Sequence, residues 1–145
     1  MSGFGGTASH PMDAKGRVSL ASKYRKALPD DLVIVRSANR KFPSLSLYAS
    51  DAYDAWVESV FESRGGYRAN SESDVALRHR MFRQKEDVAV DQAGRILVPQ
   101  TLRQYASLEK SAVIVGSDDH IEIWNADILE KYEMAYDELE ILDLP

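Results

Sequence analysis

The chain has 145 residues, no cysteine and a formal net charge of −5, with 28% charged and 44% hydrophobic residues. Lack of cysteine rules out disulfides and thiolate metal sites, and no apolar run approaches the roughly 20 residues of a membrane-spanning helix. The length suits one domain whose halves, marginal alone, share a core or rely on assembly.

In chain order, residues 4–12 read as a strand-like run that follows Gly5-Gly6 and leads into a turn, Asp13-Ala14-Lys15-Gly16-Arg17. Asp opens such a turn by accepting from nearby backbone N–H groups, and Gly supplies the positive φ it demands. Apolar alternation on both sides predicts a hairpin with this motif at its tip and Arg17 projecting from the returning strand. A short helix over 22–28 and strands over 32–35 and 45–48 follow. A helix over 49–63 comes next, with Asp51 as its expected N-cap and Tyr53, Trp56, Val57 and Val60 at i, i+3, i+4 and i+7. Arg64-Gly65-Gly66 ends it. Ser71 or Ser73 is the expected cap of a second helix over about 74–83, which carries Arg78, Arg80 and Arg83. A strand over 87–90 enters a second turn, Asp91-Gln92-Ala93-Gly94-Arg95. After it come a helix over 100–106, strands over 112–115 and 121–124, and a final helix over about 127–141 capped by Asp127.

The two turns lie 78 positions apart, and the sequence around them repeats. Arg17-Val18-Ser19-Leu20-Ala21 corresponds to Arg95-Ile96-Leu97-Val98-Pro99, and Arg25 is in register with Arg103. Leu32-Val33-Ile34-Val35 matches Ala112-Val113-Ile114-Val115, and Leu45-Ser46-Leu47-Tyr48 matches Ile121-Glu122-Ile123-Trp124. Offset changes fall between elements, where loops absorb insertions. The pattern is an internal duplication of a hairpin–helix–strands–helix unit. One duplicated domain, 1–145, is expected: repeat one over about 4–64, repeat two over about 85–141, and a helical connector over about 65–84. The nearly continuous apolar runs at 32–35 and 112–115 predict central strands covered on both faces.

Net charge alone argues against a polyanionic partner, but its distribution reverses that. Residues 1–48 hold eight Lys/Arg against three acids, and 76–103 hold six against three. Residues 117–145 hold one Lys against ten acids. Basic charge therefore gathers around both turns, and local field steers a ligand more than net charge does.

These residues resemble the MraZ family of bacterial transcription regulators. The resemblance rests on the two Asp-x-x-x-Arg turns, on Phe4-Gly5-Gly6 before the first, and on Leu45-Ser46-Leu47-Tyr48 and Ile121-Glu122-Ile123-Trp124 before the two longer helices. It covers residues 4 to about 136. Ala21 stands where the family usually has Pro, whereas Pro99 is present in the second copy, and Arg83 stands where relatives tend to carry a small residue. The resemblance implies a mixed α/β fold: a duplicated swapped-hairpin β-barrel with flanking helices and internal pseudo-twofold symmetry, akin to the AbrB and MazE DNA-binding domains. It further implies a ring-like homo-oligomer in the cytoplasm and nucleoid that binds direct repeats in double-stranded DNA and represses a division and cell-wall gene cluster.

Arg suits phosphates and guanine edges. Lys15, Arg17 and Arg95 are therefore the expected DNA contacts, with Lys23 and Arg25 on the short helix behind the first turn as phosphate contacts. Asp13, Gly16, Asp91 and Gly94 shape the turns, and each Asp/Arg pair is also readable as an ion pair that merely stiffens its hairpin. Trp56, Trp124 and Tyr132 read as core or subunit contacts, and Trp56, Val60 and Phe61 as an apolar face for assembly beyond a dimer. His10, His79 and His120 lack ligand spacing, so neither metal nor cofactor is expected. No nucleophile–base constellation suggests an enzyme. The competing function is a MazE-like, antitoxin-type module whose main task is binding a protein.

Overall fold

The computed structural model describes residues 3–143, with side chains described up to Tyr136. It is a mixed α+β structure with a mainly antiparallel sheet and five helices. The elements are β1 (Thr7–Pro11), β2 (Arg17–Ser19), α1 (Ser22–Ala27), β3 (Leu32–Arg36), β4 (Leu45–Ala49), α2 (Ser50–Glu62) and α3 (Glu72–Arg83). They continue with β5 (Glu86–Val88), β6 (Arg95–Leu97), α4 (Gln100–Tyr105), β7 (Ser111–Ser117), β8 (His120–Trp124) and α5 (Ala126–Asp143).

Six strands form one sheet in the order β1-β7-β8-β4-β3-β5, and β2 pairs with β6 in a separate two-stranded ribbon. The expected hairpins are therefore splayed. The first strand of each enters the large sheet, where β1 pairs with β7 and β5 with β3. The second strands pair with each other, Val18 opposite Ile96. Within the first hairpin, pairing is reduced to the Met12–Val18 bridge and the turn itself. The centre of the large sheet also differs from expectation. It is the β4–β8 pair, with Leu45 opposite Ile123 and Leu47 opposite Ile121, and β3 and β7 lie one strand in from the edges.

Alternation along the strands sorts side chains between the two faces of the large sheet. On one face Leu32, Ile34, Leu45, Leu47, Ala112, Ile114, Ile121 and Ile123 pack against the ribbon residues Val18 and Ile96. Leu20, Tyr24, Val98 and Leu102 close the sides of this main core. On the other face Val33, Val35 and Tyr48 meet Tyr53, Val57 and Phe61 of α2, while Trp124 meets Leu129 of α5 and Phe42. The ribbon and α5 thus lie on opposite sides of the sheet. Phe61 is buried, which removes it from the apolar face expected for assembly; Trp56 and Val60 stay half-buried.

Two expected caps move. Helix α2 begins after Ala49 with no side-chain cap, and Asp51 falls in its first turn. At α5 the cap is Asn125, whose Oδ1 accepts from the Ile128 N–H at 3.0 Å, while Asp127 lies inside the helix. Ser71 does cap α3, accepting from the Asp74 N–H at 3.2 Å. Gly65 and Gly66, at φ +90° and +98°, end α2, and the Gly66 N–H donates to the Phe61 carbonyl at 2.8 Å. Asp137, Glu138, Glu140 and Asp143, expected on the acidic face of the last helix, lie outside the described side chains. Among the described residues no helix is long and apolar enough to cross a membrane, and no group of His, Asp or Glu is placed to hold a metal ion.

Candidate nucleic-acid interface

Each turn is built by one aspartate. In the first, Asp13 Oδ1 accepts from the Lys15 N–H at 3.0 Å and the Arg17 N–H at 2.9 Å, while Oδ2 accepts from Arg17 Nε at 2.7 Å. The backbone closes with Asp13 N–H to the Arg17 carbonyl and Gly16 N–H to the Asp13 carbonyl, both at 3.0 Å. In the second, Asp91 Oδ1 accepts from the Ala93 and Arg95 N–H groups at 2.9 Å, and Oδ2 from Arg95 Nε at 3.2 Å. Gly16 and Gly94 sit at φ +89° and +77°, as such turns require. These donors stabilise the ionised carboxylates. The backbone N–H of Arg17, ahead of its guanidinium, holds Asp13 at a pKa of about 2, and Asp91 is lowered by the matching set led by the Arg95 N–H.

The ribbon brings the two turns together. Directly opposed residues of an antiparallel pair share a face. With Val18 and Ile96 turned into the core, the outer face carries Arg17 opposite Leu97 and Ser19 opposite Arg95. Arg95 Nη1 also lies 3.9 Å from Asp13 Oδ2, so the first turn's carboxylate faces both arginines. Both guanidiniums remain about one-third exposed, with only Nε committed to the aspartate of their own turn. Lys15 is exposed at the first tip, where the second carries Ala93.

The glycines carry a further contact. A Cβ placed on Gly16 would fall 2.5 Å from Cζ and Nε of Arg103, and one on Gly94 would collide with the Arg25 guanidinium. Both glycines are buried under these arginines. Each arginine belongs to the half opposite to the turn it covers. Arg103 is held by donating from Nε to the Val98 carbonyl at 3.0 Å, and the Val98 N–H donates to the Gly16 carbonyl at 2.9 Å. The Leu20 N–H makes the matching bond to the Gly94 carbonyl at 2.9 Å.

A family model described as "MraZ protein, putative antitoxin-like" matches residues 4–64 and 81–142. The chain belongs to the MraZ family. Curated relatives named "Transcriptional regulator MraZ" include those of Cutibacterium acnes, 33% identical over 93% of this chain and 90% of its own, and Mycolicibacterium smegmatis, 32% identical over the same shares. The relative from Acetivibrio thermocellus is 33% identical over 89% of this chain and 85% of its own.

Within this MraZ-family chain, Lys15, Arg17, Arg95 and Arg25 lie at the two turns, whose backbone is held by Asp13 and Asp91 and bends at Gly16 and Gly94. Lys23 does not join them. Its Nζ donates to the Gly5 carbonyl at 3.1 Å and sits 5.0 Å from the Tyr24 ring centroid, which ties it to the N-terminal segment. Arg103 is a site residue that sequence reasoning does not single out. Its register with Arg25 is visible in the duplicated sequence, but its contact with Gly16 crosses between halves and no local pattern reports it. A separate polar cluster lies on the outer sheet face. His120 stacks on Tyr48 at 4.7 Å, with Nδ1 2.8 Å from Asp119 Oδ1 and Nε2 3.7 Å from Glu122 Oε2. Burial works against its charged form, but these two carboxylates prevail and raise its pKa.

Proposed function

We propose that this chain is a sequence-specific, DNA-binding transcriptional regulator whose reading surface is the paired-turn face of the β2–β6 ribbon. The observation that carries the proposal is the convergence of Lys15, Arg17 and Arg95, with Arg25 and Arg103 braced behind, on one outward face. Family membership and the names of the relatives agree with it. A two-stranded ribbon fits a major groove, and arginine there reads guanine edges or holds phosphates. The architecture is a swapped-hairpin barrel with pseudo-twofold symmetry, composed of repeats over about 4–64 and 85–141. In support, the strand order β1-β7-β8-β4-β3-β5 is unchanged when the strands of one half are exchanged for those of the other. The register agrees: Val18–Ile96 and Ser46–Glu122 pair equivalent residues at the midpoints of the ribbon and of the β4–β8 ladder.

A few phosphate contacts per chain give weak, salt-sensitive binding. Several copies in a ring raise the effective concentration on a run of repeated elements. The proposal therefore includes a homo-oligomer on direct repeats upstream of a division and cell-wall gene cluster, acting as a repressor in the nucleoid. The test is a gel shift with DNA upstream of its own gene against shuffled sequence. The wild type is expected to bind the former selectively, and Arg17→Ala to stay folded while losing that binding. Equal binding to both sequences, or retained binding by Arg17→Ala, would overturn the assignment. Failure to bind DNA together with capture of a folded protein partner would favour the antitoxin-type alternative.

A further inference from the structure

We propose that Leu97 is a specificity residue that packs on the 5-methyl group of a thymine, and that it gives the reading surface a polarity. This inference rests on the DNA-binding assignment above. Leu97 is 54% exposed, and it stands on the outer face of the ribbon directly opposite Arg17. Arg95 lies two residues before it on the same strand, hence on the same face. The other exposed large apolar side chains among the described residues, Val75, Phe82, Met134 and Tyr136, lie on α3 and α5. Leu97 alone is set among the arginines of the turns.

The exposed half of Leu97 gains nothing from water. It gains from an apolar group found beside guanine edges and phosphates, and the major groove offers one such group, the thymine methyl. In the duplicated sequence the partner of Leu97 is Ser19, which sits opposite Arg95. One end of the ribbon face thus presents Arg17 with leucine, and the other Arg95 with serine. Lys15 against Ala93 at the turn tips adds to the asymmetry. Two halves with similar backbones and different outward side chains read a non-palindromic element in one orientation, with the thymine under the Leu97 end.

The test uses the full chain and a duplex enriched by the wild type from a random pool, made once with thymine and once with deoxyuridine throughout. Removing one buried methyl costs about 0.8 kcal/mol, a drop of roughly fourfold per contacted thymine. The wild type is expected to bind the uracil duplex more weakly by at least that factor. Leu97→Ser is expected to bind both duplexes equally, and Leu97→Met to keep the preference. Leu97 is solvent-facing, so both variants should fold and keep the wild-type oligomeric state. Equal wild-type affinity for the two duplexes would overturn the Leu97 proposal and leave the DNA-binding assignment standing. A change of oligomeric state in Leu97→Ser would make Leu97 a subunit contact and also overturn it. If no duplex is enriched, the DNA-binding assignment itself fails, and the Leu97 proposal falls with it.

Discussion

The two turns share a backbone and differ in charge. Both have an aspartate taking two backbone N–H groups and one arginine Nε, a buried glycine at positive φ, and an arginine from the other half laid across that glycine. The first turn is tighter, with Asp13–Arg17 at 2.7 Å against 3.2 Å for Asp91–Arg95, and its carboxylate also faces Arg95. It carries Lys15 where the second carries Ala93. Shape is therefore set by Asp, Gly and the crossing arginine, while the two middle residues are free to differ. This separation allows two similar hairpins to make unlike contacts.

The largest expected effect comes from breaking what the turns share. Gly16→Ala or Gly94→Ala forces a side chain into positive φ and against a guanidinium. Each should cost about 1–3 kcal/mol, read as a fall of several degrees in melting temperature. Unchanged melting would mean that the turn conformation is not required.

The pH dependence separates the turns next. Asp13 has a folded pKa of about 2 against an ordinary 3.8, so its contribution is present above pH 4 and disappears as pH falls towards 2. Asp13→Asn should flatten stability across that window, as followed by acid titration of the fold. Asp91 is shifted in the same direction, so Asp91→Asn should act in the window below its own ordinary value. A wild type whose stability is flat from pH 4 to 2 would contradict the bonding at both turns.

Lys15→Ala and Ala93→Lys exchange the character of the tips. In the proposed DNA-binding role the first should reduce the slope of log K against log salt by about 0.9 for each phosphate it ceases to neutralise, and the second should increase it by a similar amount. An unchanged slope in both would place the tips away from DNA.

The smallest effect concerns the strands before the turns. His10 Nε2 is buried without a hydrogen-bond partner among the described residues, and the duplicated sequence places Val88 at the matching position. His10→Val should raise stability by about 1 kcal/mol by removing an unsatisfied buried group, visible as a modest rise in denaturation midpoint. A fall in stability would show that the imidazole has a role in the core.

Much of this is legible because the chain states it twice. A five-residue turn is a weak signal, but its recurrence with matching apolar runs is what points to a duplication and to the residues of both turns. The order of elements follows from local pattern. Register between halves does not, since β1 pairs with β7 and β5 with β3, partners more than 50 residues away, and alternation says only which side chains share a face. For the same reason the strands at 32–35 and 112–115 read as central, whereas the middle of the sheet is β4–β8. The register of Arg103 with Arg25 is visible in the sequence, but the contacts of Arg103 and Leu97 are not, because they depend on what lies across from them. The caps expected at Asp51 and Asp127 are off by two residues, Ala49 and Asn125 holding those positions.

The most direct test of the central claim is amide hydrogen exchange with and without the DNA upstream of the gene. If the two turns form one reading surface, the amides of Lys15–Ser19 and Ala93–Leu97 gain protection together at the same DNA concentration. Protection confined to one turn, or appearing instead on α3 around Arg78, Arg80 and Arg83, would contradict it.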